Sequence, residues 1–165
     1  MRLDELQEDL AGFFRQDGIQ AMAAWPKERR TASHEPVMLV SLEELKCGPA
    51  GMQDYLGQQL DESTGQWKEL YGRKAQMTVA LDILASPQVG AQACREMLQR
   101  TAQLLQSRRP AGINVQELTG ENIEFDEKES LLRLRCHLKC SGWLCTNGDE
   151  AGTFLDFTLR GDVNT

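Results

Sequence analysis

Residues 74–109 contain the pattern that most constrains this chain, because a strand pattern there passes directly into the strongest helical pattern of the sequence. Val79, Leu81 and Ile83 recur at every second position, which is the period of a strand with one buried face. The positions between them also carry apolar side chains, Ala80 and Leu84. Because both faces are partly apolar, we predict that this strand is central in a sheet.

The helix that we predict next has one apolar stripe at 3.6-residue spacing. We assign its start to Ser86 and Pro87, since serine caps helix N-termini and proline fits the first helical position. We assign its end to Pro110 and Gly112, which stop a helix. A helix over residues 87–107 is therefore expected to cover one face of the sheet and to be followed at once by another strand.

The remaining patterns predict an N-terminal helix over residues 3–14, a strand over residues 37–42 and an antiparallel meander over residues 113–160. Within the meander, residues 113–118, 131–140 and 152–160 are predicted strands, and Asn147-Gly148 predicts a tight turn. The expected class is α+β, with a mostly antiparallel sheet covered by an N-terminal helix and one long central helix. At this length we expect a single domain, residues 1–165.

Residues 46–72 are punctuated by glycines and lack a clear period. Residues 52–60 and 66–71 are suited to be the two arms of a long projecting hairpin, with a turn near residues 61–65. Tyr55, Trp67 and Tyr71 would then suit contact with another protein, because aromatic residues are enriched at interface centres. The alternative is that these rings cover the edge of the chain's own sheet.

The charge and the apolar pattern disfavour two classes of partner, nucleic acids and membranes. A net charge of −7 disfavours direct nucleic-acid binding, because Lys and Arg must neutralise the phosphates. No apolar run approaches the roughly 20 residues that span a bilayer, and the N-terminus lacks the apolar core of a signal peptide. We therefore expect no membrane partner, a cytosolic origin, and five reduced cysteines packed as small apolar residues.

One cluster, Cys136, His137 and Cys140, suggests a zinc site. Strand alternation directs His137 away from both cysteines, whereas zinc needs ligands that converge. Neither histidine of the chain lies in a known catalytic signature. Asp82, on the predicted central strand, is either a functional carboxylate with a shifted pKa or the partner of an arginine. We expect no catalytic residue, no metal and no cofactor.

Two charged segments are candidates for contact with a partner. Residues 27–36 form a predicted loop in which basic side chains exceed acidic ones by one, and the basic ones are Lys27, Arg29 and Arg30. Residues 117–129 carry six carboxylates against one lysine, and the candidate contact residues among them are Glu124, Asp126 and Glu127. These carboxylates lack the spaced ligands of a calcium loop. A solvated loop and a solvated turn are the alternatives.

The order of elements resembles that of the tail-terminator and tail-completion proteins of long-tailed bacteriophages, including those encoded by prophages. The matching pieces are the helix of residues 3–14, the strand of residues 37–42 with the hairpin-like residues 52–85, the helix of residues 87–107 and the meander of residues 113–160. The resemblance covers nearly the whole chain and is one of topology, so it carries over no functional residue. The long segment 46–72 departs from the family pattern.

The resemblance implies an α+β fold and a structural subunit that is not an enzyme. Copies would form a homo-oligomeric ring, commonly a hexamer, that caps the tail tube and joins it to the head-side connector proteins. The protein would occupy the bacterial host cytoplasm during assembly and then the virion tail. In such a ring, the acidic segment of one subunit would face the basic loop of the next.

Two other functions remain open. A small binding or chaperone-like interaction domain would hold a peptide or effector in a groove lined by Tyr55, Trp67 and apolar strand residues. An enzyme would use Asp82, a cysteine or His137 in a concave site with convergent polar groups.

Overall fold

A computed structural model describes residues 2–24, 34–49, 54–61, 63–147 and 158–162 of the chain. In chain order these residues form α1 (Leu6–Gln16), β1 (Ala21–Met22), β2 (Val37–Gly48), β3 (Tyr55–Asp61), β4 (Gln66–Ala85), α2 (Ala91–Ser107), β5 (Asn114–Asp126), β6 (Leu131–Asn147) and β7 (Thr158–Arg160). Two helices and a mostly antiparallel sheet, as far as these residues show, agree with the predicted α+β class. Neither of these helices is long and apolar enough to cross a bilayer.

The sheet has the strand order β1-β2-β4-β6-β5, with β3 also paired to β4 and β7 also paired to β6. Only the two-residue strand β1 runs parallel to its neighbour; the other described pairs are antiparallel. The 20-residue strand β4 lies in the middle, between β2 and β6. The prediction that residues 79–85 belong to a central strand is therefore confirmed.

One hydrophobic core joins both helices to the sheet. From α1 it takes Leu6, Leu10 and Phe14, which are completely buried. From α2 it takes Cys94, Met97 and Leu104, and from β4 the alternate positions that the sequence marks as the buried face. Burying one large apolar side chain contributes roughly 1.5–3 kcal/mol, so the apolar stripes of the two helices are the main force holding them against the strands.

The predicted start of the central helix is wrong by four residues. Residues 87–89 form a turn, and α2 begins only at Ala91. The turn closes on the carbonyl of Ser86, which accepts the N–H groups of Val89 (3.0 Å) and Gly90 (3.2 Å). Gly90 has φ = 88°, a conformation that glycine adopts without steric cost. The serine therefore begins a turn through its carbonyl and does not cap the helix.

Several strands are longer than their patterns predict. The second arm of the predicted hairpin and the central strand are one continuous strand, β4. The strand predicted at residues 113–118 likewise continues to Asp126 as β5, which contains two register shifts. Of the predicted last strand, residues 158–160 are confirmed as β7, while residues 152–157 and Gly148 of the predicted turn lie outside the described residues.

Candidate functional site

The hairpin of β3 and β4 carries four large apolar or aromatic side chains on one face. Tyr55 is opposite Tyr71, and Leu60 is opposite Trp67. Because residues two or four apart on a strand share a face, all four side chains lie on the same side. The rings of Tyr55 and Tyr71 pack edge to face, with centroids 5.6 Å apart. We call Tyr55, Leu60, Trp67 and Tyr71 the hairpin face.

The hairpin face is largely open to solvent. Trp67 is 67% exposed, Tyr55 45% and Leu60 44%. The hydroxyl of Tyr71 donates a hydrogen bond to Glu69 at 2.6 Å. That bond, followed by burial and the nearby carboxylate, raises the pKa of Tyr71 above its ordinary value. Exposed apolar patches of this kind mark interaction surfaces in soluble proteins, and a tryptophan this exposed covers little of the chain's own sheet.

The hairpin strand β3 also lies at an edge of the described sheet. Among the described strands, β3 pairs only with β4, and its register from Gly57 to Asp61 is regular. The edge strand β5 contains two bulges, and on β2 the side chain of Gln7 accepts the N–H of Leu42 at 3.1 Å. Bulges and covering groups block strand addition. Within the part of the chain that the structure describes, the outer side of β3 therefore has no strand partner, and its regular stretch contains no bulge.

A row of four cationic or titratable side chains lies on β6, on the face of the sheet opposite the core. Its members are Arg133, Arg135, His137 and Lys139, and they alternate with the buried residues Leu134, Cys136, Leu138 and Cys140. We call this row the charged face. The prediction that His137 points away from the two cysteines is confirmed.

Asp82 on β4 is the central acid of the charged face. It lies 3.4 Å from Arg133 and 3.5 Å from Arg135, and Arg133 also lies 3.4 Å from Asp126. Within the described residues, Oδ1 of Asp82 and Nε of Arg133 are buried atoms without a hydrogen bond. Of the two roles that the sequence left open for Asp82, the structure shows the arginine partner.

His137 lies between two carboxylates that come from two different strands. Its Nδ1 is 2.9 Å from Glu43, and its Nε2 is 3.1 Å from Glu121. Both carboxylates occupy bulges, one between Leu42 and Glu44 and one after Gly120, and a bulge re-aims the side chain that it contains. Only an imidazolium has two N–H donors, so a neutral ring can donate to one carboxylate only.

The geometry around His137 differs from that of a zinc site, whose ligands converge on one point. The two nitrogens of His137 point to separate carboxylates, and the described part of the chain contains no group of three ligand side chains able to hold a metal ion. Burial raises the pKa of Cys136 to about 12 and that of Cys140 to about 11. Thiols this weakly acidic stay protonated at neutral pH, and it is the thiolate that acts as nucleophile or ligand.

The acidic candidates lie at the turn between β5 and β6. Glu124, Asp126 and Glu127 line one cavity of about 380 Å³. Asp126 holds the turn, because its Oδ1 accepts the N–H groups of Lys128 (3.0 Å) and Glu129 (3.2 Å). The basic candidates Lys27, Arg29 and Arg30 lie outside the described residues.

The acidic turn and the hairpin face lie at opposite ends of the sheet. Tyr71 is level with Thr146 of β6, whereas Glu124 is level with Arg133. These two positions of β6 are 13 residues apart, which is roughly 40 Å at about 3.3 Å per residue. The predicted contact residues therefore form two separate surfaces and not one site.

Sequence reasoning missed Leu60 and the carboxylate partners of His137. Leu60 falls opposite Trp67 only once the hairpin register is known. Glu43 lies 94 residues from His137 along the chain and reaches it through a bulge. The alternation of charge along β6 was the available signal for a charged face, but it does not name the partners.

No protein-family model matches this chain, and no curated protein matches it.

Proposed function

We propose that the chain is a structural subunit of a phage or prophage tail that assembles into a ring as a tail terminator or tail-completion protein. The observation that carries the proposal is the position of two unlike surfaces, an aromatic hairpin face and an acidic turn, at opposite ends of one sheet. Contacts between unlike surfaces are heterologous, and heterologous contacts generate a ring whenever the rotation closes.

The chemistry of the described residues fits a structural role. Each basic side chain of the charged face has a carboxylate oxygen within 3.5 Å, so the charges of its arginines and its lysine are compensated within the sheet. The buried thiols are protonated, and the described cavities lack a nucleophile that is hydrogen-bonded to a base. The partners in this proposal are further copies of the chain, tail-tube proteins and head-side connector proteins.

The proposed subunit contact has a charge component. The acidic turn with Glu124 and Glu127 faces outward, and the basic side chains Lys27, Arg29 and Arg30 belong to a sequence segment of opposite sign. Opposite charges on two surfaces steer their encounter and fix the register of the contact. The contact should therefore weaken as salt screens the charges, with a screening length of about 10 Å at 0.1 M.

The test measures the mass of the full-length protein by light scattering over a concentration series, with negative-stain imaging of the largest species. We expect closed rings with a central hole. Arg29→Glu and Arg30→Glu should lower the ring fraction and its salt dependence, whereas Arg95→Glu, an exposed arginine of α2, should change neither. A protein that stays monomeric on its own and on purified tail tubes would overturn the ring and favour a binding domain.

A further inference from the structure

The imidazole of His137 connects three strands across the charged face. The ring belongs to β6, and its partners come from β2 and β5: Glu43 lies 2.9 Å from Nδ1, and Glu121 lies 3.1 Å from Nε2. The strand β4 lies between β2 and β6, and its residue level with His137 is Ala80. Because the side chain of Ala80 is a single methyl group, Glu43 has room to reach over β4. The three side chains therefore span four adjacent strands of the sheet.

Both carboxylates depend on His137 for a partner. Neither Glu43 nor Glu121 has another ion pair or side-chain hydrogen bond among the described residues. The neighbouring charged groups on β2, β4, β5 and β6 pair with one another: Arg135 with Asp82, Lys139 with Glu117, and Glu44 with Lys46. The side-chain connection between β2 and β5 at this level of the sheet therefore passes through the ring.

The number of hydrogen bonds in this connection depends on one proton. An ionised carboxylate is an acceptor only, and a neutral imidazole has one N–H donor and one bare nitrogen that is itself an acceptor. An imidazolium can therefore donate to Glu43 and Glu121 together, whereas a neutral ring turns a bare nitrogen towards one of them. Of the ordinary side chains, histidine is the one whose charge changes between pH 5 and 8. The side chain of His137 is 25% exposed, so protons from solvent reach it in the folded chain.

Glu121 is the carboxylate that a neutral ring should release. Its side chain is 58% exposed, against 40% for Glu43, and its contact with the ring is the longer of the two. It lies inside the bulge between Gly120 and Ile123, on a strand that pairs only with β6 among the described strands. Water can therefore replace the ring as the partner of Glu121 with the smallest disturbance of the sheet.

We propose that His137 is a proton-operated cross-link, which ties the bulge of β5 to β2 when the ring is charged and releases it when the ring is neutral. Acidic pH holds this edge of the sheet, and alkaline pH loosens it. The main core lies on the other face of the sheet, so one proton changes the order of the edge without unfolding the chain. The cross-link is a property of a single chain and does not rest on the proposed ring.

The experiment measures hydrogen exchange of the backbone amides by NMR at pH 5.5 and pH 8, corrected for the intrinsic exchange rate at each pH. In the full-length wild type, the amides of residues 118–125 should lose roughly two- to fivefold of their protection at the higher pH, as expected for a partly exposed ion pair. His137→Gln should abolish this pH difference. His34→Gln, which replaces the exposed second histidine of the chain, should leave it unchanged.

Glu121→Gln tests the chemistry of the cross-link. A glutamine amide can donate to the bare nitrogen of a neutral ring, so this variant should have nearly the same protection at both pH values. Glu117→Gln is its control, because Glu117 is an acid of the same strand that pairs with Lys139, and it should keep the wild-type response. The cross-link would be overturned by a wild type without the pH difference, by a difference that survives in His137→Gln, or by a full response in Glu121→Gln.

Discussion

Asp82 and Arg133 meet at 3.4 Å on the face of the sheet opposite the core, where Oδ1 of Asp82 and Nε of Arg133 are buried and accept or donate no hydrogen bond within the described residues. The side chain of Asp82 is only 13% exposed, while those of Arg133 and Arg135 are 28% and 45% exposed. A nearly buried carboxylate thus holds two arginines that are partly in water. The stability of the charged face should depend on the acid more than on either base.

Replacing Asp82 by Asn should destabilise the fold by about 1–3 kcal/mol, because it removes the nearly buried carboxylate that pairs with both Arg133 and Arg135 and leaves Asp126 as the carboxylate beside Arg133. Arg135→Ala should cost less than about 1 kcal/mol, since that side chain reaches solvent. Urea denaturation of both variants tests whether Asp82→Asn loses more free energy of unfolding than Arg135→Ala. Equal losses in the two variants would show that Asp82 is not the central group of the face.

A buried thiol should make the fold sensitive to alkaline pH. Burial raises the pKa of Cys136 from 9.0 to about 12 in the folded chain. Above pH 9 the unfolded chain therefore releases a proton that the folded chain still binds, so stability falls as pH rises from 9 to about 12. The expected slope for this thiol is about 1.4 kcal/mol per pH unit.

The measurement compares urea denaturation of the wild type and of Cys136→Ala between pH 8 and the highest pH at which both remain folded. The variant should be less stable at neutral pH, because it leaves a cavity, but its stability should fall less steeply with pH. Parallel curves would contradict the assignment of alkaline sensitivity to Cys136.

The packing at the base of the hairpin predicts a steric effect. A Cβ at Gly72 would lie 2.7 Å from Cδ1 of Leu56 and 2.9 Å from the carbonyl oxygen of Leu144, whereas a Cβ at Gly48 would meet nothing within 4 Å. Gly72→Ala should therefore cost about 1–3 kcal/mol. Gly48→Ala should be neutral or stabilising by up to about 1 kcal/mol. Thermal unfolding of the two variants distinguishes steric crowding at residue 72 from a general loss of stability when a glycine is replaced.

The sequence predicts the central features of this fold because they are local and periodic. Alternation alone places Val79, Leu81 and Ile83 in the core and turns His137 away from the cysteines. The start of α2 was mispredicted because Ser86 uses its carbonyl, and not its hydroxyl, to close a turn.

The continuity of β4 between the predicted hairpin arm and the predicted central strand was missed because residues 72–76 are mostly polar and are held in the strand by their partners on β2 and β6. The pairing of His137 with Glu43 was missed for a related reason. It depends on a register shift between Leu42 and Glu44, and nothing in the local pattern marks that shift. Contacts set by register and bulges require the sheet to be known first.

The two carboxylates around His137 give the last prediction. His137→Ala removes the group between Glu43 and Glu121, so two acids then face each other across the vacated ring. The imidazole is 25% exposed, and we expect a loss of about 1 kcal/mol. Because like charges repel, Glu121→Gln should recover part of that loss in the His137→Ala chain, although alone it should slightly destabilise the wild type. Free energies of unfolding for the four chains form a double-mutant cycle. If the effects of the two substitutions simply add, His137 does not couple Glu43 to Glu121, and each carboxylate is held in place by its own strand.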